Sequence, residues 1–328
     1  MTDHPGSPST VASPSCGRGA LVDNITSFLA HEHALHLDDI RACVERAIDD
    51  AGPEAVDDLG RRLVGAGTDW AYYPRDPLAR RIHHVLAGLV LQQEPLVTGT
   101  EHLDRVADKP LVIVANHLSY SDANVVDVLL ERAGRDDLAA RLTVVAGPKV
   151  YSDIRRRFSS LCFATIKVPQ NSARSSGDAV MAPREVARAA HRVIEIARER
   201  LHAGDALLVF PEGTRSRSGE MTAFLPGVAR YLDLHEPWIL PMGITGTERL
   251  FPVGVDALSS GPISLRIGRP VPARALTDRA RGNRRLVMDC LGFAIADRLP
   301  PEYRGVYATD RAHHEAASQL YRRVFASG

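Results

Sequence analysis

Six short apolar runs rich in Val, Ile and Leu follow Pro95, and they most restrict the fold that this chain can adopt. They are Leu111–Ala115, Leu142–Ala146, Cys162–Val168, Ala206–Phe210, Ile239–Ile244 and Ile263–Ile267. Continuous apolar runs of this kind are typical of strands that helices cover on both faces. Residues 183–202 carry an apolar stripe at helical spacing, with Gly204 just past its end, which predicts a helix between two of the strands. We therefore expect an α/β fold, with a mixed, largely parallel sheet flanked by helices.

The chain before these runs has a different pattern. Residues 1–19 are rich in Ser, Pro and Gly, which is typical of a disordered tail. From about residue 20 to residue 95, apolar residues recur at helical spacing and prolines punctuate the run. These patterns predict a tail over 1–19, a helical N-terminal domain over 20–95, and an α/β domain with C-terminal helices over 96–328.

Charge balance and cysteine usage exclude several classes of protein. Lys plus Arg and Asp plus Glu both total 40, so no overall basic field favours nucleic-acid binding. The four cysteines show no CxxC or Cys/His pairing, so we expect free thiols and no zinc site. The HEHALH stretch lacks acidic or thiol partners at ligand spacing, which favours a surface helix over a metal site.

No membrane-spanning segment is expected. The longest plain apolar run, Val85–Leu91, has seven residues, whereas a spanning helix needs about 20. The N-terminal residues lack the apolar core of a signal peptide. We expect a cytoplasmic location. Peripheral contact at the inner membrane face, through Arg80, Arg81 and Ile82–Leu91, is an alternative to packing of this helix on the rest of the chain.

The stretch NHLSYSD places His117 and Asp122 five residues apart at the exit of a predicted buried strand. A capped turn would explain its polar residues, and a general base with an orienting carboxylate would explain them equally well. On one helix the two side chains would lie about 140° apart. We therefore expect His117 in the turn and Asp122 in the first turn of the next helix, folded back toward the imidazole.

A second polar loop, FPEGTRSRSG, begins at Phe210 and also leaves an apolar strand. Such strand ends carry ligand-binding loops in α/β folds. Arg215 and Arg217, with the hydroxyl groups beside them, suit a phosphate, and Glu212 could accept a hydrogen bond from a substrate hydroxyl or fix Arg215. Alone, the loop would be explained equally well as a polar turn with solvated charges.

Together the two loops resemble a known family. NHLSYSD is similar to the NHxxxxD signature of the glycerolipid acyltransferases, and FPEGTRS is similar to that family's FPEGTRS block. The stretch ILPMGITGTERL resembles its apolar strand-and-proline block, in the same order along the chain. The similarity covers roughly Thr98 to Ala273.

The resemblance implies transfer of a fatty acyl group from a thioester on coenzyme A or acyl carrier protein, which would be a co-substrate. The acceptor would be the hydroxyl of glycerol-3-phosphate or 1-acylglycerol-3-phosphate, and no metal or redox cofactor would be needed. In this scheme His117 is the general base and Asp122 its partner. The resemblance implies that the acceptor is bound by the loop residues Glu212, Gly213, Thr214 and Arg215. It leaves Asn116 and backbone amides of the His117 turn as candidates to stabilise the oxyanion.

One part of the family pattern differs. The family carries a further arginine after its second strand, and here Pro169-Gln170 stands where Asp-Arg is expected. Lys167, Arg174, Lys149 and the run Arg155–Arg157 are candidates to supply the charge, although a solvated basic face would explain that run as well. The difference leaves open the same chemistry on a non-glycerolipid alcohol or amine. A non-catalytic lipid- or carrier-binding protein is a less favoured alternative.

Overall fold

A computed structural model of the chain describes residues 17–29, 37–91, 95–169, 183–250, 262–308 and 314–326. The nine strands of the described residues form one sheet. They are β1 (Tyr72–Tyr73), β2 (Leu96–Thr98), β3 (Leu111–Ala115), β4 (Leu142–Ala146), β5 (Ala164–Lys167), β6 (Ala206–Val209), β7 (Trp238–Thr245), β8 (Ser264–Ile267) and β9 (Val271–Pro272).

The centre of the sheet is parallel. Strands β5, β4, β6, β3 and β7 lie side by side in that order and pair in parallel. At the edges, β1 is antiparallel to β5, while β8 and β9 are antiparallel to β7 and β2 is parallel to β8. This confirms the predicted mixed, largely parallel sheet, and all six predicted runs are strands. The sequence pattern missed the two- and three-residue strands β1, β2 and β9, because such short edge strands depend on their partners.

Helices cover both faces of the sheet. They are α1 (Arg18–Leu29), α2 (Leu37–Ala51), α3 (Pro53–Gly65), α4 (Pro77–Val90), α5 (Asp122–Arg132), α6 (Asp136–Ala139), α7 (Ile154–Leu161), α8 (Pro183–His202), α9 (Thr247–Leu250), α10 (Ala273–Ala280), α11 (Arg284–Ala296) and α12 (Glu315–Tyr321). Side chains of β3 alternate between two cores, since successive residues of a strand point to opposite faces. Ile113 packs in one core with residues of α1 to α5, and Val112 packs in the other with residues of α8, α10 and α11.

The N-terminal helices share a core with the sheet. Buried residues of α1 to α4, such as Leu21, Ile40 and Leu59, belong to the same hydrophobic cluster as Leu111 and Ile113 of β3. Helix α1 begins at Arg18, so the last two residues of the expected tail are helical, and residues 1–16 lie outside the described residues. The remaining domain limits stay a prediction.

Helix α4, the expected alternative for membrane contact, packs on α5. Its residues Ile82 and Leu86 are buried. Arg80 donates to the fully buried Asp127 of α5 at 3.4 Å and to Glu131 at 2.8 Å, and His84 Nε2 lies 2.7 Å from Asp127 Oδ2. In the part of the chain that the structure describes, no helix has the length and apolar character that crossing a membrane requires.

The start of α4 is fixed by one buried carboxylate. Asp76 is the N-cap residue, and its Oδ1 accepts from the backbone N–H groups of Leu78 and Ala79 at 2.9 Å. Its Oδ2 accepts from Arg62 Nη1 of α3 at 2.8 Å. One side chain therefore caps α4 and joins it to α3.

Replacing this carboxylate should destabilise the N-terminal helices. Asp76→Ala removes both the cap and the ion-pair partner of Arg62, and we expect a loss of about 2–4 kcal/mol in the free energy of unfolding. Asp76→Asn retains a capping oxygen and should lose clearly less. Urea unfolding followed by circular dichroism measures both. Equal losses in the two variants would contradict a capping role.

Candidate active site

The register of two parallel strands brings the two polar loops together. Val114 of β3 lies opposite Val209 of β6. His117 and Glu212 each follow three residues later, so the loops leave the same edge of the sheet side by side. In open α/β sheets, ligands bind at the carboxyl ends of the strands. The sheet therefore places both motifs at one candidate site.

His117 and Asp122 form the expected pair. His117 Nδ1 lies 2.7 Å from Asp122 Oδ2, with His117 in the turn and Asp122 at the first position of α5. The same oxygen accepts from the backbone N–H groups of Leu118 at 2.7 Å and Ser119 at 3.0 Å. With the proton on Nδ1 donated to Asp122, Nε2 carries the lone pair. Among the described residues, the structure gives Nε2 no hydrogen-bond partner.

Thr247 holds the other oxygen of Asp122. Its Oγ1 donates to Asp122 Oδ1 at 2.5 Å, and both side chains are fully buried. Thr247 is the first residue of α9, and one residue, Gly246, separates it from the end of β7. The sequence analysis did not identify this residue, because its role depends on β7 lying beside β3. The carboxylate is therefore fixed from both sides and cannot rotate away from the imidazole without losing these bonds.

The imidazole ring is also fixed by stacking. The ring of Phe210 lies 4.3 Å from that of His117, centroid to centroid, at an interplanar angle of 19°. The His117 side chain is 18% exposed, so it reaches the surface of the site. Phe210 directly follows β6, and the FPEGTRS block thus contributes to the orientation of the His117 imidazole.

Glu212 joins the two loops from the inside. Its Oε1 accepts from the backbone N–H of His117 at 2.9 Å, and its Oε2 accepts from Thr222 N at 2.8 Å and Thr222 Oγ1 at 2.9 Å. The residue is almost completely buried, and this burial raises the pKa of the carboxyl group, partly offset by the hydrogen bonds. The predicted contact of Glu212 with substrate is therefore wrong, because its oxygens are used within the protein. Its role is to position the backbone of His117.

A second bond joins the loops at the backbone. Ser216 N donates to the carbonyl oxygen of His117 at 2.8 Å, so both backbone groups of His117 are held by the FPEGTRS loop. Gly213 makes the sharp turn of this loop at φ +71°, where a Cβ atom would approach Leu225 Cδ1 to 2.4 Å. Gly213 therefore shapes the loop, while Thr214 is exposed beside it.

Arg215 reaches across to the His117 loop. Its guanidinium carbon lies 3.5 Å from the centroid of the Tyr120 ring, which is the distance of a cation–π contact. Tyr120 lies between His117 and Asp122 in the sequence. No carboxylate among the described residues forms an ion pair with Arg215. A guanidinium group thus lies beside the His117 loop, and no acidic side chain of the described residues neutralises its charge.

Comparison with known proteins agrees with this geometry. The family model described as Acyltransferase matches residues 94–245, which include both loops. A 1-acyl-sn-glycerol-3-phosphate acyltransferase from Chlamydomonas reinhardtii is 29% identical over 137 residues, covering 42% of this chain and 39% of that protein. A chloroplastic 1-acyl-sn-glycerol-3-phosphate acyltransferase from Arabidopsis thaliana is 24% identical over 203 residues, covering 60% and 50%. Residues 94–245, the segment that carries both loops, thus match the acyltransferase family.

The extent of these matches is partial. The chain spans half or less of the length of these two curated relatives. Among solved structures, the 1-acyl-sn-glycerophosphate acyltransferase PlsC from Thermotoga maritima aligns with a TM-score of 0.47 and 19% identity, covering 79% of this chain and 97% of that one.

Asn116 has a structural role. Its Nδ2 donates to the carbonyl oxygen of Ile244 at 2.9 Å, and its Oδ1 accepts from Ile244 N at 2.8 Å. The side chain is fully buried and continues the pairing of β3 with β7. The expectation that Asn116 donates to an oxyanion is therefore corrected, because its amide is paired with the backbone of the neighbouring strand.

The two lysine candidates differ in position. Lys167 Nζ donates to the carbonyl oxygen of Gly67 and lies 4.7 Å from the centroid of the Trp70 ring, and burial lowers its pKa. This lysine anchors the segment before β1 to β5, so its expected contact with substrate is also corrected. Lys149 is half-buried in the 3-10 turn after β4, at the edge of the sheet that carries the loops. Gln170 and Arg174 lie outside the described residues.

The stability of the fold should depend on the ability of both Glu212 oxygens to accept hydrogen bonds. In Glu212→Gln, the amide nitrogen cannot accept from Thr222, and a buried N–H loses its partner, which costs about 1–3 kcal/mol in the free energy of unfolding. Thr222→Val removes the hydroxyl donor and keeps the backbone one, so it should cost less. Chemical unfolding of the three proteins measures these differences.

This stability difference should also depend on pH. Because the folded state raises the pKa of Glu212 above its ordinary value of 4.5, the folded protein binds this proton more tightly than the unfolded chain. The wild type then loses stability as the pH rises from about 4.5 through the raised pKa, whereas the glutamine variant lacks this change. The loss caused by Glu212→Gln should therefore be larger at pH 4.5 than at pH 7.5. A loss that grows with pH would contradict the assignment.

Proposed function

We propose that the protein transfers a fatty acyl group from a thioester of coenzyme A or acyl carrier protein to a hydroxyl of 1-acylglycerol-3-phosphate or glycerol-3-phosphate. The observation that carries this proposal is the His117–Asp122 pair, at 2.7 Å, on a loop whose Tyr120 ring contacts Arg215 of the neighbouring loop. The names of the two curated relatives favour 1-acylglycerol-3-phosphate as the acceptor.

The acyl transfer needs one group that accepts a proton and returns it. His117 Nε2 takes the proton of the acceptor hydroxyl as its oxygen attacks the thioester carbonyl. The tetrahedral intermediate then collapses, the carbon–sulfur bond breaks, and the imidazolium returns the proton to the leaving thiolate. The products are an ester and a free thiol. Because one histidine carries the proton through the reaction, the scheme needs no metal or redox cofactor.

Asp122 keeps His117 ready for this step. Its carboxylate accepts the Nδ1 proton and thus holds the tautomer with a basic Nε2. When Nε2 takes up a proton, the adjacent carboxylate stabilises the imidazolium charge. Thr247 and the backbone N–H groups of Leu118 and Ser119 fix this carboxylate, so no reorientation of Asp122 accompanies proton transfer.

Arg215 would bind the phosphate of the acceptor. A guanidinium group suits a phosphate because its planar N–H groups match the phosphate oxygens. Its contact with Tyr120 fixes the charge three residues from the base along the chain. An acceptor with a long acyl chain lies in membranes, and we therefore include peripheral contact with a bilayer surface in the proposal.

A non-phosphorylated alcohol or amine acceptor is the second candidate, because Gln170 stands where the family carries an arginine. It uses the same base and differs only in acceptor binding. A lipid- or carrier-binding protein without turnover is disfavoured. Such a protein has no need of a histidine whose tautomer is fixed by a buried carboxylate.

The decisive experiment measures thiol release from palmitoyl-coenzyme A and from palmitoyl-acyl carrier protein. Each donor is tested without acceptor, with glycerol-3-phosphate, with 1-acylglycerol-3-phosphate, and with 1-acylglycerol and an alkylamine as non-phosphorylated acceptors. We expect release that depends on a phosphorylated acceptor. Release that needs a non-phosphorylated alcohol or amine would support the second candidate, and no release with any acceptor would support a binding protein.

Loss of the base should abolish most of this activity. We expect His117→Ala to lower kcat by about 100- to 10,000-fold, the usual contribution of a general base. His191→Ala is the matched control, because His191 lies on α8 with a side chain that is 76% exposed. Thiol release by the two purified variants measures the effect. An active His117→Ala protein would exclude the proposed mechanism.

Arg215→Ala should mainly weaken acceptor binding. Loss of a charged hydrogen-bond donor to phosphate should raise the acceptor KM by about tenfold or more, with a smaller change in kcat. Arg230→Ala removes the same charge from an exposed position and is the control. Steady-state kinetics with varied acceptor measures both. An unchanged KM in Arg215→Ala would contradict the role of this loop.

A further inference from the structure

A second arginine contacts the Tyr120 ring. The guanidinium carbon of Arg156, on α7, lies 4.8 Å from the ring centroid, and that of Arg215 lies 3.5 Å from it. The two distances add to an upper limit of 8.3 Å for the separation of the two guanidinium carbons. Two cations from different elements therefore meet on one side chain of the His117 loop.

The three consecutive arginines of α7 have different surroundings. Arg157 donates to the carbonyl oxygens of Tyr151 at 2.8 Å and Leu63 at 3.2 Å and so ties α7 to α3. Arg155 lines a small cavity with Leu21 of α1. Of the three, Arg156 is the one that the structure places over Tyr120. This run is thus more than a solvated basic face, and one of its members is directed to the site.

The arrangement suits an anion. Arg156 has a partial counter-charge, with its Nε 3.3 Å from Asp153 Oδ2, whereas Arg215 has no ion pair with a described carboxylate. Two guanidinium groups within 8.3 Å of each other repel, and an anion that contacts both would reduce the repulsion. The ring holds both groups in place, so that less side-chain freedom is lost when an anion binds.

We propose that Tyr120, Arg156 and Arg215 form a two-arginine site for the phosphate of the acceptor. Arg156 then supplies the second cation, a charge that the Pro169-Gln170 dipeptide does not carry. This inference rests on the proposed function and identifies Arg156 as a further specificity-determining residue. The phosphates of coenzyme A have the same chemistry, and the experiment below separates the two sources.

The test compares Arg156→Ala with Arg155→Ala, which removes the same charge from the neighbouring position on α7. We expect Arg156→Ala to raise the KM for the phosphorylated acceptor by about tenfold, with kcat and the donor KM within about twofold of wild type, the scatter of distant substitutions. Arg155→Ala should leave all three constants unchanged. Arg156→Lys, which retains the charge but lacks the planar fork, should give an intermediate KM.

Tyr120 variants test the platform. Tyr120→Phe keeps the ring and should keep the acceptor KM, whereas Tyr120→Leu should raise it, because both arginines lose their contact. Thermal unfolding of each variant shows whether it is folded. If Tyr120→Leu is unfolded, the arginine variants alone decide.

Equal effects of Arg155→Ala and Arg156→Ala would overturn the proposal, since a general positive field would then explain them.

The phosphate source is identified by varying the donor. If Arg156→Ala raises the KM for palmitoyl-coenzyme A but not for the N-acetylcysteamine thioester, which has no phosphate, the site binds coenzyme A and the acceptor assignment is overturned.

If the wild type shows no acceptor-dependent thiol release, the proposed function fails, and calorimetric titration tests the site independently. Glycerol-3-phosphate, with glycerol as control, should then bind wild type and Arg155→Ala but not Arg156→Ala. Equal binding in all three proteins would overturn the anion site as well.

Discussion

Parallel pairing of β3 with β6 is the constraint on which the candidate site depends. The register that sets Val114 opposite Val209 brings two loops that are 95 residues apart in the sequence to one edge of the sheet. A shift of either strand by one residue would reverse the direction of every side chain on it. The apolar residues of β3 are buried on both faces, so this register is fixed by the two cores as well as by the backbone hydrogen bonds.

Hydrogen bonds of buried polar side chains then fix the positions of the loops at this edge of the sheet. Glu212 holds His117 from the side of β6, while Asn116 and Thr247 act from the side of β7. Each of these side chains is fully or almost fully buried, where an unpaired polar group would be costly, and each is paired. The His117 imidazole is thus positioned by residues that need not touch a substrate. This explains how a loop at the surface can hold an imidazole in one orientation.

Local sequence patterns predicted much of this structure. The six apolar runs, the helix over 183–202 and the placement of His117 and Asp122 follow from spacing and residue type within short segments. The roles of Asn116, Lys167 and Glu212 did not follow, because each is decided by partners far away in the chain. Residue type alone does not distinguish a buried amide paired with β7 from an amide that faces a substrate. Thr247 gave no signal in the sequence, and the run Arg155–Arg157 was a candidate as a whole, from which only the position of α7 distinguishes Arg156.

The contact between α4 and α5 gives the N-terminal helices a part in the site. Arg80 and His84 of α4 hold Asp127, which lies on α5 five residues after Asp122. A rotation of α5 about its axis would move Asp122 and Asp127 together. The contacts of α4 with Asp127 therefore also restrain Asp122. The helices before the sheet therefore behave as an integral layer of the catalytic fold. An exchange of this layer between relatives would have to preserve the charges that face α5 as well as the shape of the apolar surface.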